Sequence, residues 1–462
     1  MADRLLVFTY ILSAIVFEAA WGACDDKSTC SQCVKSAAES LPDICRWCSL
    51  SKQCHASSNT DNPCAGSEKL DISLLEHCPA EDLNLSYNYT AAYQHVLLSA
   101  AAYSETPDQC LAKIREGNPL FDFEVLDDNF IARRCDDFYF DYKMCTAVVA
   151  VSNLNREIVL SYRGTAHNLQ LLDQVLAALL IPKMKMGKGS IHAYFLNAFE
   201  ALIPCARERL EMMIQMYPDY TLTISGHSLG GAMASISAFN LSRENFGASS
   251  NSGIRLFTYG HPRVGDKVFS VEHDKVVPDS WRIVHRKDIV PHVPHCLPSC
   301  DSGGDSTNYH HGTEVFYDVE NMTNPSARYK ICQANHDITC SRKYTQFFSW
   351  DSPVFDPVAR YSDHLRYFGI SVGSHCNNLL GIGSRRKRSI TESLYSKLRS
   401  DKCSALHSMD GEWVPEGYEN RNSTSVPPAV NDDDNGAVNT TGLSRLLTVV
   451  IIRFCFWSFT HT

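Results

Sequence analysis

The fold is indicated by residues 220–239, which read YTLTISGHSLGGAMASISAF. The β-branched and apolar residues of 220–224 predict a strand, and the small residues of 230–239 predict a helix. Between them lies Gly226-His-Ser-Leu-Gly230, a G-x-S-x-G sequence at a strand-to-helix turn. Glycines two residues either side of Ser228 leave room for a sharp turn that lifts the serine hydroxyl above the sheet edge. The stretch predicts a nucleophilic serine on an α/β sheet.

A serine hydroxyl becomes an effective nucleophile when a base accepts its proton, so a histidine and an orienting acid are required. With this kind of turn the chain order is serine, acid, histidine. Asp288 directly follows a predicted strand at 281–285, and active sites of open α/β sheets gather at such carboxyl ends. The residues alone leave several downstream histidines open as the base: His285, His292, His295, His310, His311, His336 and His364.

Strand-like and helix-like stretches alternate through residues 87–382. Strands are predicted at 147–151, 157–161, 255–259, 281–285 and 313–317. Apolar residues at helical spacing predict a helix over 199–217, with Pro204 near its start. This alternation predicts an α/β domain with a mostly parallel central sheet.

Six segments, in order, resemble the class 3 (fungal-type) lipase family: Tyr162-Arg-Gly-Thr165, Ile191-His-Ala-Tyr-Phe195, Thr223-Ile-Ser-Gly-His-Ser-Leu-Gly-Gly231, Thr258-Tyr-Gly-His-Pro-Arg-Val-Gly-Asp266, Arg282-Ile-Val-His-Arg-Lys-Asp-Ile-Val-Pro-His292 and Asp363-His-Leu-Arg-Tyr-Phe-Gly-Ile370. The resemblance implies an α/β-hydrolase fold over 87–382 and a triacylglycerol lipase-like serine hydrolase that cleaves acyl esters of lipids. It implies Ser228 as nucleophile, Asp288 as acid and His364 as base. Thr165 and Leu229 would then supply the oxyanion hole.

The same resemblance makes His310 and His311 strand-edge residues near the cleft, and His227 an elbow residue without a catalytic role. It makes residues 166–173 a lid, with Leu169, Leu171 and Leu172 as its apolar side chains. Leu169 and Leu172 share one face of a short amphipathic helix. A further apolar run at 175–181, followed by lysines, suits a lipid–water interface.

Two alternatives stay open for this lid segment. The helix can pack on the core of its own domain. Its start, Asn168-Leu-Gln-Leu171, also resembles feruloyl esterases of the same superfamily, whose lids are more polar. Esters that are not lipids, either feruloyl-type or short and soluble, are therefore the alternative substrates.

The protein is expected to be secreted. Arg4, an apolar run over 5–17 and Ala20-Trp21-Gly22 predict a signal peptide at residues 1–22. Glycosylation sequons agree with this, at Asn84, Asn88, Asn240, Asn321, Asn422 and Asn439. A net charge of −10, from 42 basic and 52 acidic residues, argues against nucleic acid as the partner.

Eight of the 19 cysteines lie within residues 24–78. Their two C-x-x-C pairs can be interpreted as a zinc site, but an oxidising compartment favours disulfides. We expect neither metal nor cofactor. The spacing around Cys45-Arg-Trp-Cys48 resembles a plexin–semaphorin–integrin (PSI) module, which implies a structural spacer. A catalytically silent secreted protein that uses this module to bind partners is a further alternative.

The remaining cysteines fit the hydrolase domain. The resemblance implies Cys110–Cys376 and Cys332–Cys340 disulfides, and short spacing favours Cys135–Cys145 and Cys296–Cys300. Cys205 and Cys455 are among those left over, and Cys205, within a predicted helix, is expected to be a buried thiol.

Beyond residue 382 the helix–strand pattern ends. Residues 383–445 hold a basic run, Arg385-Arg-Lys-Arg388, and a polar segment typical of a disordered linker. The run is either a proprotein-convertase site or an ordinary exposed basic stretch. Residues 446–462 form an apolar tail interrupted by Arg453. Together with Asn435-Gly-Ala437, the tail loosely fits a signal for a glycosylphosphatidylinositol (GPI) anchor.

Overall fold

A computed structural model describes residues 24, 26–30, 32–34, 45–57, 59–67, 70–73, 85–126, 129–137, 140–165, 182–246, 253–296, 304–332, 335–347 and 362–382. The helices are α1 Tyr89–Ala101, α2 Pro107–Gly117, α3 Ala193–Met216, α4 Leu229–Arg243, α5 Lys267–Val276 and α6 His375–Leu379. The strands are β1 Cys45–Cys48, β2 Gln53–Ala56, β3 Asp71–Ile72, β4 Phe130–Asp137, β5 Phe140–Ser152, β6 Glu157–Tyr162, β7 Lys183–Met186, β8 Gly189–His192, β9 Thr221–His227, β10 Arg255–Tyr259, β11 Gly265–Asp266, β12 Ser280–His285, β13 Asn308–Tyr309, β14 Thr313–Tyr317, β15 Lys330–Ile331, β16 Arg366–Tyr367 and β17 Ile370–Ser371. Short 3₁₀ helices lie at Val290–His292 and Ser341–Phe347.

The central sheet has eight strands in the order β15-β14-β12-β10-β9-β6-β5-β4. The five middle strands run parallel, and β15, β5 and β4 add antiparallel edges. The predicted α/β class is thus confirmed as an α/β-hydrolase sheet that is parallel at its centre. Strand β9, which leads into Ser228, lies between β6 and β10.

Both faces of this sheet are buried, so every residue of β6 and β12 is buried, as is every residue of β9 after its first. One core packs α3 and α4 against the sheet, and the other packs α1 and α2 on the opposite face. Helix α3 begins earlier than the sequence predicts, so Pro204 lies inside it. The prediction that Pro204 sits near the helix start is therefore wrong. Residues 193–198, most of which are buried aromatic or aliphatic residues, form the part of the helix that was not predicted.

The N-terminal module is a three-stranded antiparallel sheet in the order β2-β1-β3. Disulfides Cys24–Cys45, Cys33–Cys54 and Cys48–Cys64 lie within it. It contacts the hydrolase domain through Leu50 and Leu70, which pack in one cluster with Tyr309. Ser67 also donates a hydrogen bond to Asp305, at 2.7 Å. Cross-links stand in here for the large apolar core that so short a sheet cannot build.

The hydrolase-domain disulfides Cys110–Cys376, Cys135–Cys145 and Cys332–Cys340 confirm those three pairings. The prediction that Cys205 is a free thiol is wrong, because Cys205 is disulfide-bonded. Its burial within α3 was anticipated, but a helical position in the sequence does not reveal which sulfur lies beside it.

Several predicted segments fall outside the described residues. These are the signal peptide at 1–22, the lid residues Leu169, Leu171 and Leu172, the basic run at 385–388, the linker and the apolar tail at 446–462 with its GPI signal. Among the helices that are described, none is both long and apolar enough to cross a membrane.

The disulfides give a first prediction. Cys110–Cys376 closes a sequence separation of 266 residues, and Cys332–Cys340 closes one of 8. Since a cross-link restricts the unfolded chain more when its loop is longer, we expect losses of roughly 5 and 2–3 kcal/mol on replacing each pair with alanine. Thermal and denaturant unfolding of the two double variants would test this ranking. An equal or reversed loss would contradict it.

Candidate active site

Ser228 occupies the turn between β9 and α4. Its φ of 60° lies in the left-handed region, which a residue with a side chain rarely adopts. The turn is held because the Ser228 N–H donates to the Tyr259 carbonyl at 2.9 Å. A methyl group at Gly230 would lie 2.2 Å from the Tyr162 carbonyl oxygen, so only glycine allows β6 to approach the elbow. This is the close packing that the G-x-S-x-G sequence predicted.

The three side chains named from the sequence lie together. The His364 Nε2 is 3.0 Å from the Ser228 Oγ, and its Nδ1 is 3.0 Å from both Asp288 oxygens. A carboxylate can only accept, so Nδ1 carries the proton and Nε2 is left to accept the serine proton. Asp288 lies three residues past β12, fully buried, where its charge needs partners. This chain of contacts has the geometry needed for nucleophilic attack by a serine.

Two residues that the sequence reasoning missed complete the surroundings of Asp288. The Tyr367 hydroxyl donates to its Oδ2 at 2.6 Å, and the Val290 N–H donates to its Oδ1 at 2.9 Å. Gly260, with φ of 55°, lies against the contact between Asp288 and His364. A methyl group there would be 2.3 Å from the Asp288 Oδ2 and 2.9 Å from the His364 Nδ1. The glycine of Thr258-Tyr-Gly was the available signal, but nothing near it in sequence indicates Asp288.

The predicted oxyanion residues flank the elbow. Leu229 is the first residue of α4, whose opening N–H groups have no partner within the helix. The turn after β6 packs closely against the elbow, since a methyl group at Gly164 would lie 2.6 Å from the His227 carbonyl oxygen. The Thr165 Oγ1, next along, is buried and has no hydrogen-bond partner among the described residues. A buried hydroxyl without a partner is costly, and a developing oxyanion would satisfy it.

The competing histidines have other contacts. His285 faces backbone carbonyl groups, with Nδ1 at 2.9 Å from that of Arg366 and Nε2 at 3.0 Å from that of Val319. His310 bonds to the Pro291 carbonyl, and His311 bonds to the Ser235 hydroxyl on α4. His336 is buried beside the Tyr309 ring, while His292 is buried and His295 lies on the loop that follows it. Of the candidate histidines, His364 is the one whose described contacts include the Ser228 hydroxyl.

Five of the buried histidines form a group that we call the histidine cluster: His261, His273, His310, His311 and His336. Their rings approach as closely as 3.8 Å between centroids, for His273 and His311. Burial is the main cause that holds the pKa of His261, His310, His311 and His336 well below the ordinary value, and buried arginines such as Arg282 and neighbouring histidines add to it. Arg282 itself is paired with Glu314 at 2.8 Å. The cluster is therefore neutral at pH 7, which suits core packing.

Two sets of side chains in the described residues lie close enough to hold a metal ion. They are Cys24, Cys45 and Cys54 in the module, and Glu314, Cys332 and Cys340 at the sheet edge. All five of these cysteines are disulfide-bonded. Since a metal ion binds the thiolate, neither set offers the ligands of a zinc site.

The chain is similar in sequence to known lipases. The family model of the class 3 lipases matches residues 159–297, which include Thr165, Ser228 and Asp288. The lipase ZK262.3 of Caenorhabditis elegans is 31% identical over 303 residues, covering 62% of this chain and 80% of that protein. A lipase of Rhizomucor miehei is 28% identical over 229 residues, covering 49% of this chain and 56% of its own length. The chain thus spans most of the nematode relative and about half of the fungal one.

Among solved structures, the lipase of Rhizopus microsporus var. chinensis is similar, with a TM-score of 0.49 and 23% identity. The match covers 64% of this chain and 91% of that one.

The histidine cluster predicts loss of stability in acid. Burial lowers the pKa of His273 to about 4, below its ordinary value of 6.5. The unfolded chain therefore binds the proton first, and stability falls as pH drops from 6.5 towards 4, by about 3 kcal/mol for this residue alone. Urea midpoints measured at pH 7 and pH 5 would show the loss.

A His273→Phe variant is the matched test, because Phe239, Phe269 and His311 already surround that ring. We expect it to lose less stability than the wild type between pH 7 and pH 5. The same loss in both proteins would rule out a contribution of His273.

Proposed function

Because the chain belongs to the class 3 lipase family of carboxylic ester hydrolases, we propose that it cleaves acyl esters of lipids with Ser228 as nucleophile, His364 as base and Asp288 as acid. The observation that carries the proposal is the unbroken contact chain from Ser228 through His364 to Asp288, with each link at 3.0 Å. A binding protein that had lost catalysis would have no need to keep a strained serine against a buried His–Asp pair.

The proposed reaction follows from these contacts. The Ser228 oxygen attacks the ester carbonyl carbon while the His364 Nε2 takes the serine proton. Asp288 holds the imidazole tautomer and stabilises its cation. The tetrahedral intermediate collapses, and the departing alcohol takes the proton from His364. Water then attacks the acyl-enzyme by the same route, which releases the carboxylic acid and restores Ser228.

The negative charge on the tetrahedral oxygen needs donors that are already in place. We assign these to the Leu229 N–H and to Thr165, through its N–H and its hydroxyl. The start of α4 supports this, since a helix N-terminus carries partial positive charge. The buried hydroxyl of Thr165 supports it too, because this hydroxyl has no hydrogen-bond partner among the described residues.

Secretion and the role of the module belong to the same proposal. Disulfides in both the module and the hydrolase domain support an oxidising compartment. We propose that the module is PSI-like and acts as a structural spacer. Leu50 and Leu70 pack with Tyr309 on β13, and Ser67 bonds to Asp305 ahead of that strand. These contacts favour a structural role for the module.

The nucleophile is tested with Ser228→Ala. Loss of the attacking oxygen should lower kcat on a short p-nitrophenyl ester by about 10⁴-fold or more, and abolish labelling by a fluorophosphonate. Turnover surviving in Ser228→Ala would overturn the mechanism. His364→Ala should fail similarly while His311→Ala retains turnover, and the opposite result would show that the base is misassigned.

The substrate class needs a separate measurement. Wild-type protein is offered triacylglycerol emulsions, phospholipid vesicles and the soluble ester. Preference for an emulsion or vesicle substrate, with activity rising once an interface forms, supports a lipid substrate. Preference for the soluble ester would instead support the alternative of a non-lipid esterase.

The oxyanion assignment is tested with Thr165→Val and Thr165→Ser. Valine keeps the shape and the backbone N–H but removes the hydroxyl, so kcat should fall by about 10²–10³-fold with little change in KM. Serine keeps the hydroxyl and should retain most of the wild-type kcat. Equal losses in the two variants would mean that packing of the threonine methyl group, and not hydrogen bonding, matters at this position.

A further inference from the structure

His227, the residue just before the nucleophile, is a buried histidine whose hydrogen bonds reach the base. Its Nε2 lies 2.8 Å from the backbone carbonyl oxygen of His364. Its Nδ1 lies 2.9 Å from the Tyr103 hydroxyl, on the loop between α1 and α2. The ring also stacks on that of His364, with centroids 4.6 Å apart and planes inclined by 28°. His227 therefore touches the base at both its backbone and its imidazole.

These partners determine where the His227 proton lies. A carbonyl oxygen only accepts, so the His227 Nε2 must donate to His364. The neutral ring then accepts at Nδ1, and the Tyr103 hydroxyl is the donor. Burial, followed by the nearby His364, holds the pKa of His227 well below its ordinary value, so the ring stays neutral. Hydrogen bonds thus run in one direction, from Tyr103 through His227 to the His364 backbone.

The stacking of the two rings also affects the positive charge that His364 gains when it accepts the serine proton. A cation is attracted to the face of a neutral aromatic ring, whereas a second cation there would be repelled. The titratable side chains that the described elements bring to this pair include Asp288 after β12, Tyr367 on β16 and Tyr103. Of these, only the Asp288 carboxylate carries charge at pH 7, on the edge of His364 remote from Ser228.

Tyr103 also contacts the oxyanion turn. A methyl group at Gly164 would lie 2.1 Å from the Tyr103 hydroxyl oxygen, one residue before Thr165. A single buried hydroxyl is thus close to the turn that carries Thr165 and, through His227, to the base.

We propose that Tyr103 and His227 are positioning residues that hold the His364 backbone in place and keep a neutral ring against the face of the base. Neither side chain bonds to the Ser228 hydroxyl or to the His364 Nε2, so both act through the position and surroundings of His364. This inference rests on the proposed function, because it requires that His364 is the base.

Two variants of His227 separate the effect of its hydrogen bond to the His364 backbone from the effect of its ring. His227→Phe keeps a ring on the His364 face but removes the donor, so kcat on the soluble ester should fall about 10- to 100-fold while KM and the acid limb of the pH profile stay near wild type. His227→Gln keeps a donor but removes the ring. Its acid limb should move to lower pH, because the cation of His364 loses the face that stabilises it. A merely structural role would lower activity without separating the two variants.

Tyr103→Phe removes only the hydroxyl that donates to His227, and should lower kcat several-fold at unchanged KM. Its control is Tyr220→Phe, which removes a hydroxyl bonded to Asn153 at the opposite end of β9 and should keep wild-type kcat. Thermal unfolding of each variant is measured alongside, so that kcat is compared among folded proteins.

The outcomes also separate this inference from the function on which it rests. Activity in wild-type protein that is lost in Ser228→Ala supports the proposed mechanism. If Tyr103→Phe and both His227 variants then matched the wild type in kcat and pH profile, the positioning role alone would be wrong. Equal turnover in wild type and Ser228→Ala would overturn the mechanism and this inference together.

Discussion

The rest of the site depends on the strained turn at Ser228. A non-glycine residue at φ of 60° costs about 1–3 kcal/mol, so the surrounding structure must hold it. The hydrogen bond to Tyr259 from β10 and the close approach of β6 over Gly230 supply that constraint. The result is a half-buried hydroxyl at the end of a central strand, next to the first N–H groups of α4. A turn without strain would point the serine elsewhere and separate its hydroxyl from the His364 Nε2.

The buried polar groups divide into two environments that give histidine different properties. Beside Asp288, the imidazole of His364 has a carboxylate that can stabilise its cation during a reaction. In the histidine cluster, burial and the charge of Arg282 disfavour that cation. The two environments explain why histidines of one domain differ in how readily they can hold a positive charge. His227 combines both features, since it is buried and neutral yet contacts His364.

Much of the fold was predictable because its signals are local. The strands β6, β10, β12 and β14 agree with the sequence patterns to within one residue, whereas β5 begins seven residues before its predicted start at 147. Among the disulfides, Cys135–Cys145 was anticipated from its short spacing, and Cys110–Cys376 and Cys332–Cys340 were implied by the family resemblance. The errors have a common cause. The position of Pro204 within α3 and the oxidised state of Cys205 depend on what packs against that helix, and helical spacing carries no information about its neighbours.

The strained turn at Ser228 can be identified from about twenty consecutive residues, because a strand, a tight turn between glycines and a small-residue helix are local properties of the chain. The strand before Asp288 likewise pointed to that residue, while the choice of His364 among seven candidates came from a family resemblance. The contact between His364 and Ser228 joins residues 136 positions apart and depends on the whole sheet. The same folding brings Tyr103, Gly260 and Tyr367 around the site. Such contacts join distant parts of the chain. Hydrophobic periodicity and local motifs describe neighbouring residues, so they do not specify which distant residues come into contact.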